Sequence, residues 1–195
     1  MEIQFDKIDI FRKNLSSFKE TSKDTDSGCV EYMTQSDIEV INFDGVKNEY
    51  VKDLHLTYTP CSNDALYITA GEIYFVEFKN GIMKKDKIFN VYNKIYDSLL
   101  IFNDIIGANI SFCRKNVNFV LVYNECKNPC PKDDISKSIP QGQDSSKARI
   151  GKYFTAKANK SYTRFDLGRF EKLYFKKVFT FTESEFENFF LSAQF

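Results

Sequence analysis

The stretch Glu72-Ile73-Tyr74-Phe75-Val76-Glu77-Phe78-Lys79 decides how this chain is read. Its alternate residues fall into two sets, Ile73, Phe75, Glu77, Lys79 and Tyr74, Val76, Phe78, each apolar until the charges arrive. That pattern describes a strand covered on both faces. A carboxylate and an ammonium then project from one face at its C-terminal end, where burying either without compensation is costly. Asp64 stands upstream at the start of a second short strand, residues 65 to 69. A tight turn at Ala70-Gly71 folds that strand back, so that Asp64, Glu77 and Lys79 are expected to share one site.

Working outward, residues 54 to 59 alternate Leu54, Leu56 and Tyr58 with His55, Thr57 and Thr59, as in a strand preceding this hairpin. Downstream, Ile88, Val91, Tyr92, Ile95, Leu99, Phe102 and Ile106 recur at helical spacing until Gly107 ends the pattern. The nearly all-apolar run 117 to 123 (VNFVLVY) reads as a buried strand entered through that helix. Ser36-Asp37-Ile38-Glu39 fits a capping box, and the apolar residues around it suit either a short helix or a strand. Residues 5 to 18 are weakly amphipathic and 19 to 28 are polar. Pro129, Pro131 and Pro140 fall in a polar surface loop. Residues 173 to 182 read as a strand, and Thr182 caps a final helix that buries Phe186, Phe189 and Phe190. The expected organisation is one domain over 1–195: an N-terminal appendage (1–28), a core (29–124), a surface loop (125–152) and a basic strand-and-helix extension (153–195).

With 43% hydrophobic residues, 20 Phe and 11 Tyr, the chain has ample material for an aromatic core and is not disordered by composition. It shows neither a leader-like start nor a run of 18 apolar residues, so no membrane association and a cytoplasmic location are expected. Cys29, Cys61, Cys113, Cys126 and Cys130 form an odd, scattered set, which suits a reducing compartment. With His55 the sole histidine, structural zinc is not expected. Formal net charge is zero, but it is unevenly spread. The first 50 residues are acidic and residues 141 to 178 strongly basic.

Two carboxylates held together repel, and a hard divalent cation that keeps several waters is the natural third party. The Phe78 carbonyl would be a further ligand, and Lys79 is placed to orient a metal-bound water or stabilise charge developing on phosphorus. Asn63-Asp64, twelve intervening residues and Glu77-Phe78-Lys79 at a strand end, followed by a long helix and a buried strand, resemble the PD-(D/E)XK nuclease superfamily over residues 30 to 124. The resemblance implies an α/β (α+β) restriction-endonuclease-like fold with an αβββαβ core, a mixed central sheet flanked by helices. An extra C-terminal strand and helix would follow that core. It implies Mg2+- or Mn2+-dependent cleavage of DNA or, less often, RNA, with Asp64 and Glu77 as metal ligands and Lys79 as the catalytic lysine. Residue 63 is Asn where the named pattern has Pro. The acidic residue expected ahead of the first strand could be Glu31 or Glu49, with Glu31 favoured for its distance from Asp64, and Lys94 or Asp97 on the long helix could also reach the site.

Other readings stand beside these. Glu77 and Lys79 could form a weak ion pair at an exposed strand end, and Asp64 could cap a turn. Lys147, Arg149, Lys152, Lys157, Lys160, Arg164 and Arg169, interleaved with Tyr153, Phe154, Tyr162 and Phe165, suit contacts to a nucleic-acid backbone and its bases. They equally suit a solvated face. The competing functional class is a non-catalytic protein-binding factor on the same fold, such as an immunity, antitoxin or phage-defence component.

Overall fold

The buried strand at 73–79 lies inside a mixed six-stranded sheet in the computed structural model, which describes residues 3–25, 28–69, 71–129 and 163–191. In chain order the strands are β1 (Leu15–Ser17), β2 (Lys23–Asp24), β3 (Glu31–Tyr32), β4 (Glu39–Asn42), β5 (Ala65–Ile68), β6 (Ile73–Lys79), β7 (Val117–Tyr123) and β8 (Val178–Thr182). The helices are α1 (Asp9–Arg12), α2 (Phe18–Thr21), α3 (Phe43–Val51), α4 (Lys85–Ile106), α5 (Ile110–Asn116) and α6 (Glu183–Leu191). The main sheet runs β1-β4-β5-β6-β7-β8, while β2 and β3 pair separately. Its first four strands are antiparallel to their neighbours, whereas β6, β7 and β8 run parallel. The parallel step from β6 to β7 is made possible by α4 and α5, since parallel neighbours need a crossover.

Period-two alternation divides β6 between two apolar layers. Ile73 and Phe75 face a layer built with Val91, Ile95, Leu99 and Phe102 of α4, joined by Phe43 of α3 and Cys113 of α5. Val76 and Phe78 face the opposite layer, formed with Phe18 of α2 and with Phe186 and Phe190 of α6. Both faces of the sheet are therefore covered, and all seven residues of β7 are buried. α4 ends where expected: Gly107 takes the left-handed conformation (φ 62°), which costs glycine little. Thr182 caps α6 reciprocally, its hydroxyl accepting from the Glu185 N–H while the Glu185 carboxylate accepts from the Thr182 N–H.

Four expectations change. The final helix buries Phe186 and Phe190 but leaves Phe189 36% exposed. Residues 54 to 59 are not a strand: Leu54, Leu56 and Tyr58 are 53%, 50% and 86% exposed, and His55 adopts a left-handed φ of 50° that interrupts extended chain. Alternation supplies a strand pattern there, but among the described residues nothing covers its apolar side, and the segment connects α3 to β5. The strand on the side of β5 away from β6 is β4, with Ile41 opposite Leu66. The N-terminal residues are not an appendage either, because β1 forms one sheet edge and Phe11 and Phe18 are buried in opposite layers. Finally, the last strand is shorter than 173–182, since Lys172 has a positive φ and residues 171–177 turn before β8 begins. Beyond Pro129, the expected surface loop lies outside the described residues. Among the described residues, no helix is long and apolar enough to cross a membrane.

Candidate functional site

Antiparallel pairing sets Ala65 of β5 against Val76 of β6, and one further step along that register brings Asp64 beside Glu77. Both side chains point to the α4 side: Glu77 continues the Ile73-Phe75 row, and Asp64 shares the face of Leu66. The helix answers with a polar stripe, Asn90, Lys94 and Ser98, at four-residue spacing within its otherwise apolar contact surface. Lys94 Nζ lies 2.9 Å from Asp64 Oδ1 and 2.7 Å from Glu77 Oε1. Lys79 Nζ lies 2.8 Å from the same Glu77 oxygen and 3.5 Å from Asn90 Oδ1. The three residues expected together are thus together, with Lys94 as a fourth charge.

The supports of Asp64 come from three elements. The Phe78 N–H donates to Asp64 Oδ2 at 2.7 Å, fixing the carboxylate to the strand that carries Glu77. The Phe43 N–H at the start of α3 donates to the Asp64 carbonyl, and the Asn63 N–H donates to Ser98 Oγ at 2.8 Å. Asp97, considered as a site residue, instead accepts from the Cys61 N–H and anchors the same loop. In an extended strand the N–H and C=O of one residue point the same way, so the Phe78 carbonyl also faces the flank on which Asp64 lies.

Electrostatically the site is a nearly closed set of two carboxylates and two ammoniums. Glu77 is fully buried; its Oε1 is met by the Lys79 and Lys94 ammoniums, whereas Oε2 has no partner among the described residues. Burial, followed by the neighbouring Glu77 charge, pushes the Asp64 carboxyl up to about 7, against the opposing pull of Lys94, Lys79 and the Phe78 N–H. Burial draws Lys94 toward neutrality, but contact with Glu77 and Asp64 more than offsets this and raises it above its ordinary value.

The two carboxylate oxygens that touch the Lys94 ammonium are separated by no more than the sum of its two contact distances, well inside the roughly 8 Å beyond which one cation cannot span two carboxylates. Their spacing and the unpartnered Glu77 Oε2 suit a hard cation. Among the described residues there is no group of three or more His, Cys, Asp or Glu that could hold a metal ion. An ion here would therefore have two carboxylates and the Phe78 carbonyl, with water completing its shell, as Mg2+ prefers. Asp64, Phe78 and Lys79 open onto a cleft of about 740 Å³, whose lining also includes Asp44, Lys87 and Lys127.

Other expected residues lie elsewhere. Glu31, on β3, accepts from the Asn80 side chain at 2.5 Å and does not complete a metal-binding group with Asp64 and Glu77. Glu49, the other acidic candidate, pairs with Lys13 at 3.2 Å. Arg164 is spent on structure: its guanidinium stacks on Tyr123 and Phe165 and donates to the Asn128 and Pro129 carbonyls. Arg169 pairs with Asp166 at 3.2 Å and lies over the Tyr92 ring. Lys147, Arg149, Lys152, Lys157 and Lys160 fall outside the described residues. In sequence Lys94 is one of two candidates on the long helix; the polar stripe at 90, 94 and 98 through the buried face of α4 is the signal that singles it out. Comparison of the chain with protein-family models, curated proteins and solved structures gives no match, so the reading of the site rests on its geometry.

Proposed function

We propose that this chain is a divalent-metal-dependent nuclease on a restriction-endonuclease-like fold, hydrolysing phosphodiester bonds in DNA or RNA. The observation that carries the reading is the side-by-side placement of Asp64 and Glu77 on adjacent strands, bridged by one ammonium, with Lys79 against Glu77 at the edge of a polar cleft. The order β4, β5, β6, α4, β7 supports the fold assignment, because three antiparallel strands are followed by a helix and a parallel strand, with α3 inserted after the first.

In this reading Asp64, Glu77 and the Phe78 carbonyl would hold Mg2+ or Mn2+, which when bound supplies an activated water and neutralises phosphate charge. Glu77 and Asn90 position the Lys79 ammonium at the cleft, where it stabilises negative charge as it develops on the phosphate oxygens. Asp64, tied to the Phe78 N–H, keeps its orientation as substrate enters. Lys87 and Lys127, on the cleft lining, contribute phosphate contacts that do not depend on base identity.

One observation favours the competing class. Lys79 and Lys94 already compensate both carboxylates without an ion, as in a site retained for structure in a protein-binding factor. Incubation with single- and double-stranded DNA and RNA, with Mg2+, Mn2+ or EDTA, separates the two. The nuclease reading expects cleavage by wild type that requires the metal and falls by about 10²-fold or more in Lys79→Ala, the scale of losing one preorganised donor. Equal degradation by both proteins, or by neither, contradicts it.

A further inference from the structure

We infer that Lys94 is a built-in, displaceable cation that occupies the divalent metal's place between Asp64 and Glu77, so that metal binding and the Lys94 bridge exclude one another. This deepens the proposed metal site and rests on it. Lys94 comes from α4, so its presence is independent of the charged pair at the end of β6. Its Nζ touches one oxygen of each carboxylate, at 2.9 and 2.7 Å, and so fills the gap that an ion shared by them would occupy. An ion coordinated at about 2.0 to 2.6 Å cannot share that volume with an ammonium.

What surrounds the bridge suits exchange. Asp64 Oδ2 stays bound to the Phe78 N–H, so this ligand remains oriented when Lys94 withdraws. Glu77 meets only the two ammoniums, through Oε1, while its buried Oε2 has no partner among the described residues, so an incoming ion has the Lys94 contact to replace and a second oxygen open to it. The Lys94 side chain keeps 16% exposure, and its flexible four-carbon stem lets the ammonium swing while the helix stays packed. Asp64, which it leaves, lines the cleft, so the freed charge lies near an entering phosphate. The bridge holds buried Glu77 and part-buried Asp64 together in the metal-free protein and lowers apparent metal affinity by the cost of displacing it.

Titration calorimetry with Mn2+ on wild type and Lys94→Met tests this, accompanied by thermal unfolding with and without Mn2+. Lys94→Gln serves the same comparison if the methionine variant does not fold. The expected result is Mn2+ binding about tenfold or more tighter in the variant, from removal of a positive charge at contact distance from the site. A larger Mn2+-induced rise in Tm should accompany it. Binding by the variant alone also supports exclusion. Equal or weaker binding by the variant, with wild type binding, overturns the role of Lys94 and leaves the metal site standing. Binding by neither protein at millimolar Mn2+ overturns both.

Discussion

Asp64→Asn should flatten the pH dependence of stability between about pH 4 and 7 in metal-free buffer. In the folded protein, burial and the adjacent Glu77 hold the Asp64 carboxyl at about 7, whereas the unfolded chain releases that proton near the ordinary value of 3.8. Between these limits the folded state binds more protons than the unfolded state, so this group makes stability fall as pH rises. Each pH unit corresponds to about 1.4 kcal/mol, so the full interval amounts to about 4 kcal/mol at this one residue. Asparagine is neutral throughout, removing the contribution while keeping an oxygen to accept from the Phe78 N–H. Urea denaturation in EDTA, followed by circular dichroism at half-unit pH steps, reads the effect as the difference between two curves, in which titrations of groups remote from Asp64 cancel. Convergence at low pH and divergence in favour of the variant toward pH 7 is expected. Parallel curves would refute the coupling of Asp64 to Glu77 and burial.

Glu77→Gln leaves two ammoniums facing one carboxylate and should cost about 3–5 kcal/mol in chemical denaturation. Adding Lys94→Met to it should recover part of that loss, giving a non-additive double-mutant cycle. Phe18→Ala should destabilise by about 3–5 kcal/mol, because its buried ring packs 5.0 Å from Phe186 and 5.2 Å from Phe190; a neutral result would return the N-terminal segment to the status of an appendage. Thr182→Ala removes the reciprocal cap of α6 and should cost about 1 kcal/mol in denaturant midpoint measurements.

The centre of the fold was legible because its signals are local. β6 and β7 declare themselves by apolar runs, α4 by its spacing and Gly107, and the turn before Glu72 fixes the pairing that joins Asp64 to Glu77. The sheet's other edge was not legible. β4 has four residues and no pattern strong enough to separate strand from helix, whereas the better alternation at 54–59 finds no partner to cover it among the described residues. Burial of Phe11 and Phe18 depends on distant elements, α4 and α6, that no short window reveals. The same distinction runs through the site. Glu77 and Lys79 follow from one strand, but the Lys94 bridge depends on how α4 is rotated over the sheet. Arg164 reads as a free phosphate contact until Tyr123 and Phe165 are seen to flank it.

In the proposed reading Asp64 and Glu77 form one divalent-cation site. Crystals soaked in Mn2+ and measured at the manganese absorption edge put that site to the test. An anomalous peak about 2.0 to 2.6 Å from oxygens of both carboxylates, with the Lys94 ammonium moved away, is the predicted result. A map at millimolar Mn2+ with no peak there, and Lys94 still bridging Asp64 and Glu77, would contradict it.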